Sequence, residues 1–191
     1  MILVAVLPLS FPLVFGYAVA CTRTSVWAPA EAPPSWRVCW RLVADGVWSA
    51  LQAAVLTAPF AAGAWLLAGL LVRVWRPTGN AFPDVALDWI AALTVAAMPW
   101  GVAMLLVVPP TIARFAVTGR PADLAELRWV VRCVHGRYAE WNVVLVGITT
   151  AWALAAVGVA VAGVGVVPGA FYAILVSAHA CSALAPDRTP G

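Results

Sequence analysis

Apolar residues occur in long runs along this chain, and short polar segments separate the runs. A helix of about 20 apolar residues crosses the hydrocarbon core of a bilayer, because each residue adds about 1.5 Å. The pattern therefore predicts an all-α membrane protein that forms one integral membrane domain over residues 1–191. The five predicted transmembrane helices are at about 1–20, 47–72, 89–108, 142–161 and 167–184.

Residues 142–184 contain no Asp, Glu or Arg. A single helix of that length would measure about 64 Å, roughly twice what a bilayer needs, so the chain must fold back. We place the turn at Gly163–Gly169, between the last two spans. Pro59 and Pro99 predict bends in the second and third spans, and the Pro109–Pro110 pair predicts the end of the third.

The two longest polar connections, residues 21–46 and 109–141, each show a pattern typical of a short amphipathic helix. In the first, a helix that begins at Trp36 has one apolar face, formed by Trp36, Cys39, Trp40 and Val43. In the second, Pro121 suits the first helical turn, and an apolar stripe follows, formed by Leu124, Leu127, Val131 and Val134. Both helices are predicted to lie on the cytoplasmic membrane surface. The alternative for the first is that it packs against the protein's own loops, and for the second that it folds over the inner ends of the spans.

The distribution of arginine predicts the orientation in the membrane. With five spans, residues 21–46, 109–141 and the C-terminal tail share one side, which receives nine of the eleven arginines. Short loops rich in arginine stay in the cytoplasm. We therefore expect a multi-pass protein of the cell (plasma) membrane, with its N-terminus outside and its C-terminus in the cytoplasm.

Five arginines of the 109–141 connection are candidate contacts for anionic lipid headgroups or for a partner: Arg114, Arg120, Arg128, Arg132 and Arg137. An arginine near an anionic membrane surface contributes about 1 kcal/mol to binding. The alternative is that these residues serve only as the topology signal.

Composition supports lipid as the main solvent of the chain. Hydrophobic residues make up 64% of it and charged residues only 10%, whereas an ordinary soluble domain has roughly 25% charged residues. The net charge of +3 is too small and too dispersed for a nucleic-acid-binding face. The sequence lacks a Gly-rich phosphate loop after a strand and a zinc-helix motif, so no cofactor is expected.

The order of several short motifs resembles a prokaryotic membrane-protein family known as domain of unknown function 4013. The second half of the chain carries Ala113-Arg114-Phe115, Thr118-Gly119-Arg120, Tyr138, Phe171-Tyr172 and Ala178-His179. The first half carries Gly16-Tyr17, Pro34, Trp36 and Leu42-Val43-x-Asp45-Gly46. The chain departs from the family in lacking a basic segment before the first span and several arginines near residues 133–136. The resemblance implies an integral membrane protein and carries no known activity.

Two Cys/His pairs are the sharpest candidates for chemistry, Cys133-x-His135 and His179-x-Cys181. Two thiolates and two imidazoles could bind zinc, but this spacing is tighter than that of usual zinc pairs. We therefore predict no metal site and four reduced thiols. His179 is a candidate intramembrane polar site, with a role in proton or substrate handling or in a hydrogen bond to a neighbouring helix.

These observations favour a non-enzymatic membrane protein, a scaffold or accessory subunit that acts through its inner surface. The alternative is a small transporter or channel, although the spans lack the acidic and basic groups typical of ion coupling. An enzyme ranks third, because no pair of acids or nucleophile–base set lies at one depth. The expected partners are the lipid bilayer and a membrane protein or a second copy of the chain, not nucleic acid.

Overall fold

The computed structural model describes residues 2–28, 34, 39–75, 85–162 and 166–186, and within these ranges the chain is helical without a β-strand. The all-α prediction is confirmed. In chain order the elements are α1 (Ile2–Trp27), α2 (Trp40–Trp75), α3 (Val85–Thr118), a 3-10 turn (Pro121–Ala125), α4 (Leu127–Gly136), α5 (Tyr138–Ala162) and α6 (Val166–Ser182).

Three helical segments in the described ranges are long and apolar enough to cross a membrane, which suggests a membrane location. They are Trp40–Val74, Leu87–Thr118 and Tyr138–Gly158, and they correspond to the predicted second, third and fourth spans. The predicted first and fifth spans correspond to α1, with 26 residues, and to α6, with 17. The described apolar part of α6, Gly169–Ser182, is shorter than the three spanning segments.

The connections are shorter than the sequence indicated. We expected Pro109–Pro110 to end the third span, but α3 continues through both prolines to Thr118. Two prolines remove two backbone donors, and the buried residues that follow them compensate: Ile112, Ala113, Phe115 and Ala116 are all in the core. Tertiary packing therefore overrides the local preference for a break.

The first amphipathic helix was predicted to begin at Trp36, and residues 35–38 lie outside the described residues. The described helix begins at Trp40 and runs directly into the second span as α2. The predicted turn at Gly163–Gly169 falls partly outside them as well, since α5 ends at Ala162 and α6 begins at Val166.

The chain divides into two compact units, one formed by Met1–Leu51 with Val107–Gly191 and the other by Gln52–Leu106. The single membrane domain proposed over residues 1–191 remains a prediction. In the first unit α1 contributes to two clusters. Val19 packs with Phe115 of α3 and with Leu124, while Tyr17 and Cys21 pack with Leu42 and Ala178. Ala151 and Ala155 of α5 pack against Ala173 of α6.

Two glycines let α1 and α2 touch backbone to backbone. A Cβ atom on Gly16 would lie 2.9 Å from the carbonyl carbon of Leu42, and one on Gly46 would lie 2.6 Å from that of Pro12. Both separations are too short for real Cβ contacts. Only glycine therefore fits at either side of this crossing.

In the second unit, the described parts of α2 and α3 bury small residues and expose large ones. Ala64, Ala68 and Ala92 are buried. The Trp100 indole Nε1 donates a hydrogen bond to Thr57 Oγ1 across 3.0 Å, which joins the two helices beside Pro59. Most other large apolar side chains of this unit point away from the protein.

Candidate functional site

The arginine-rich segment forms the end of α3, the 3-10 turn, α4 and the start of α5. Its five candidate arginines fall into two groups. The side chains of Arg114 and Arg137 are largely enclosed by the protein, whereas Arg120, Arg128 and Arg132 are exposed. Which of the five contact lipid or a partner remains a prediction.

Arg114 anchors the 3-10 turn to α3. Its Nε donates to Asp123 Oδ1 at 2.9 Å, and its Nη2 lies 2.7 Å from Glu126 Oε2. The buried Asp123 carboxylate also accepts a 2.6 Å hydrogen bond from Thr118 Oγ1. Both Asp123 oxygens are thus engaged within the protein, and the loop is fixed on the end of the helix.

The Thr118-Gly119-Arg120 motif has a structural role at this point. Gly119 has φ +68°, in the left-handed region that favours glycine. Its N–H donates to Phe115 O at 2.8 Å, which closes the last turn of α3. The chain then turns toward Pro121 and leaves the Arg120 side chain exposed.

Trp129 determines which side of α4 faces the protein. Its Nε1 donates to Pro110 O at 3.0 Å. The guanidinium carbons of Arg114 and Arg132 lie 5.3 Å and 5.5 Å from centres of its rings, within cation–π distance. With the indole fixed in this way, Val130 (7% exposed) and Cys133 (1% exposed) form the inward side of α4.

The predicted apolar stripe of this segment is therefore split. Leu124 is buried in the core with Val19, but Leu127 and Val131 are 60% and 56% exposed. Together with Arg128 and Arg132 they line an open depression on the surface, which we call the α4 outer face. Two apolar and two cationic side chains thus occupy the same exposed side of one short helix.

One further arginine and two tryptophans are exposed at helix ends of the first unit. An Arg41 guanidinium nitrogen lies 4.0 Å from the position that a Cβ atom on Gly119 would take, so the start of α2 is beside the end of α3. Trp40, next to Arg41, is exposed, as is Trp27 at the end of α1. Tryptophan is enriched at headgroup depth, and arginine side chains near helix ends extend to the same layer.

Arg137 connects the start of α5 with the end of α6. Its Nη1 donates to Ala185 O at 2.7 Å, its Nη2 donates to Ala183 O at 2.8 Å, and it also pairs with Glu140. The carbonyls after a helix C-terminus lack helical donors. Arg137 supplies two of these donors, so the last helix is held to the arginine-rich segment.

The sequence reasoning missed a second internal pair, Arg23 with Asp45. Arg23 Nη2 lies 2.9 Å from Asp45 Oδ2, and Arg23 Nε donates to Ala116 O at 2.8 Å. One side chain therefore joins α1, α2 and α3. The resemblance included Asp45 without a partner, and a pair separated by 22 residues leaves no local signal for Arg23.

His179 is exposed near the end of α6, with its Nδ1 3.0 Å from Ser25 Oγ of α1. Cys133 and Cys181 are buried. Among the described residues, no three His, Cys, Asp or Glu side chains are grouped as metal ligands. Burial raises the pKa of the Cys133 thiol, and the nearby Arg137 and Arg132 partly offset this effect. The Cys133 thiolate, the reactive form, therefore appears only at higher pH.

Several of the described residues that carry the family resemblance meet in the first unit. Gly16 and Gly46 form the helix crossing, Tyr17 stacks on Phe171 with ring centres 6.0 Å apart, and Thr22 donates to Ala178 O. The sequence model of a family described as "Protein of unknown function (DUF4013)" matches residues 1–167. The chain belongs to the DUF4013 family.

The match to DUF4013 ends at residue 167, so Phe171-Tyr172 and Ala178-His179 lie beyond it. No curated protein and no solved structure matches the chain. Within the matched part, the DUF4013 motif residues hold helices together: the glycines permit a close crossing, and Arg114, Asp45 and Thr118 bind groups on neighbouring segments.

Proposed function

We propose that this DUF4013 protein is a multi-pass protein of the cell membrane that acts as a non-enzymatic scaffold or accessory subunit of another membrane protein. Its N-terminus is outside and its C-terminus cytoplasmic, as the arginine distribution favours. The observation that carries the proposal is the low burial of α2 and α3. Only 11% and 6% of their spanning windows are buried, compared with 28% for α5.

The exposed surface of α2 favours a helical partner over lipid alone. Gly63 and Gly69 have no atom within 4 Å of the position of an added Cβ, so both face open space. Large side chains such as Trp65 and Leu66 flank them and are also exposed. In membranes, small residues mark places where another helix approaches closely, because packing rather than the hydrophobic effect drives association there.

Affinity purification in mild detergent, with identification of the co-purifying proteins, tests the accessory role. We expect a stoichiometric membrane protein with the wild-type chain and its loss with Gly63→Leu and Gly69→Leu. Gly158→Leu in α5, where the glycine also has open space, is the matched control and retains the partner. Recovery of a homo-oligomer alone would contradict an accessory subunit.

A small transporter or channel is the second candidate, and one contact in the second unit favours it. The Trp100–Thr57 hydrogen bond lies next to Pro59 and Pro99, where both helices lose a backbone donor. Polar groups at such positions line pathways in transporters. Solute or ion flux in proteoliposomes, reduced by Thr57→Val, would support this function; flux equal to that of empty vesicles would exclude it.

A further inference from the structure

We propose that the α4 outer face, together with Arg41 and Arg120 at the end of α3, is a binding site for the phosphate groups of anionic phospholipids in the leaflet that surrounds the protein. The proposal rests on the membrane location given above, but not on the accessory role. It rests on the outward residues of α4, whose inward side is already filled by Val130 and Cys133.

The charges near this face are complementary to an anion. The Asp123 carboxylate is held by Arg114 and Thr118. Glu126 is shared, with Oε2 2.7 Å from Arg114 and Oε1 3.3 Å from Arg132, whose side chain is 64% exposed. Among the described residues, Arg41, Arg120 and Arg128 have no acidic partner. Positive charge therefore exceeds negative charge on this surface.

Guanidinium groups are well suited to phosphate. Their planar fork offers paired donors to two phosphate oxygens. Arg128 and Arg132 are four residues apart, so they project from the same side of α4. The Trp129 ring beneath Arg132 limits the positions of that guanidinium before any ligand arrives.

The apolar members of the face favour a lipid over a soluble phosphate. Leu127 and Val131 lie between the arginines and are exposed. A free anion would leave both aliphatic side chains in water, whereas a phospholipid covers them with its glycerol and upper acyl region while its phosphate meets the arginines. The exposed Trp40 beside Arg41 is typical of the same depth.

Lipid retention by the full-length protein tests the site. Detergent-solubilised protein is titrated with phosphatidylglycerol or with phosphatidylcholine of the same acyl chains, and bound lipid is counted by native mass spectrometry. We expect tighter binding of phosphatidylglycerol, and about 25-fold weaker binding by Arg128→Gln/Arg132→Gln, from about fivefold per arginine. Arg73→Gln, an exposed arginine at the other end of α2, is the control and keeps wild-type affinity.

Leu127→Ala/Val131→Ala keeps the preference for phosphatidylglycerol but weakens the binding of both lipids. Circular dichroism and thermal unfolding establish that each variant is folded. Equal binding of the two lipids by the wild type, or unchanged affinity in the double arginine variant, would overturn the proposal. Loss of a co-purifying protein without a change in lipid binding would assign the face to a protein instead. If no partner co-purifies in the experiment with Gly63→Leu and Gly69→Leu, the accessory role is contradicted but the lipid site is not.

Discussion

A single methyl group at the crossing of α1 and α2 is expected to destabilise the protein. In Gly46→Ala the new Cβ would lie 2.6 Å from the carbonyl carbon of Pro12 and closer still to its oxygen. Both neighbours are backbone atoms, so a rotamer change cannot relieve the overlap. The two helices must separate, and the ion pair between Arg23 of α1 and Asp45, the residue before Gly46, is strained as well.

The size of the effect follows from two opposing terms. Ordinary van der Waals contact begins at about 3.4 Å, so the carbon–carbon separation must increase by about 0.8 Å, from 2.6 Å. Overpacking of this kind costs about 1–3 kcal/mol and sometimes more. Alanine gains about 1 kcal/mol over glycine in a helix interior. The overlap involves backbone atoms, and the Pro12 oxygen is closer than the carbon, so the cost is at the upper end, about 3 kcal/mol. The net destabilisation is then about 2 kcal/mol, which lowers the unfolding temperature by about 4–8 °C for a chain of this size.

Thermal unfolding in a mild detergent, followed by circular dichroism, measures this effect. Gly158→Ala in α5 is the matched control, because no atom lies within 4 Å of its added Cβ. The control has the gain in helix propensity without the clash, so its unfolding temperature should stay constant or rise by a few degrees. Equal stability of Gly46→Ala and Gly158→Ala would refute the backbone contact between α1 and α2.

Two substitutions and one labelling experiment test the contacts of the arginine-rich segment. Arg114→Ala leaves the nearly buried Asp123 carboxylate without its cation and should cost about 2–3 kcal/mol, somewhat below the value for a fully buried pair, measured by thermal unfolding. Arg137→Gln removes charge-assisted bonds to two carbonyls and should cost about 2 kcal/mol, with faster hydrogen exchange at residues 183–185. Cys133 should react slowly with maleimide at pH 8, because the thiol is buried and burial raises its pKa.

Each of these predictions has an internal control. Arg132→Ala removes a mostly exposed ion pair and should lower the free energy of unfolding by less than about 1 kcal/mol. A decrease as large as that of Arg114→Ala would argue against a special role of the bond between Arg114 and Asp123. Arg137→Lys keeps the charge but cannot donate from two guanidinium nitrogens to the two carbonyls. Its hydrogen-exchange rates at residues 183–185 should therefore lie between those of the wild type and Arg137→Gln. Exposed Cys39 should react faster than Cys133 in single-cysteine variants. The reverse order would show that α4 is turned the other way.

The helical architecture could be predicted because the length of each apolar run determines it. The separation of α5 from α6 follows in the same way, since 43 residues without Asp, Glu or Arg are about twice the length that one span needs. The end of α3 could not be predicted. Pro109 and Pro110 indicate a break locally, but the packing of Phe115 against Val19, 96 residues away, keeps the helix intact.

The candidate surface was predicted in composition but not in orientation. Sequence spacing placed Leu124 on one stripe with Leu127 and Val131. The chain leaves helical geometry at Glu126, between the 3-10 turn and α4. The direction in which side chains project therefore does not continue from Leu124 to Leu127 with helical spacing. The bond from Trp129 to Pro110 then fixes the rotation of α4. A contact between residues 19 apart has no helical periodicity, so sequence pattern alone cannot reveal it.

Arg137 serves the chain at two different times during its synthesis. The carbonyls it binds belong to residues 46 and 48 positions later, so they do not yet exist when Arg137 leaves the ribosome. In the proposed orientation, its charge is free during that interval to keep the 109–141 connection in the cytoplasm while α5 inserts. Once α6 is complete, the same guanidinium joins the start of α5 to the carbonyls at the end of α6. On this proposal, one arginine first contributes to the topology signal and later binds the C-terminal end of α6.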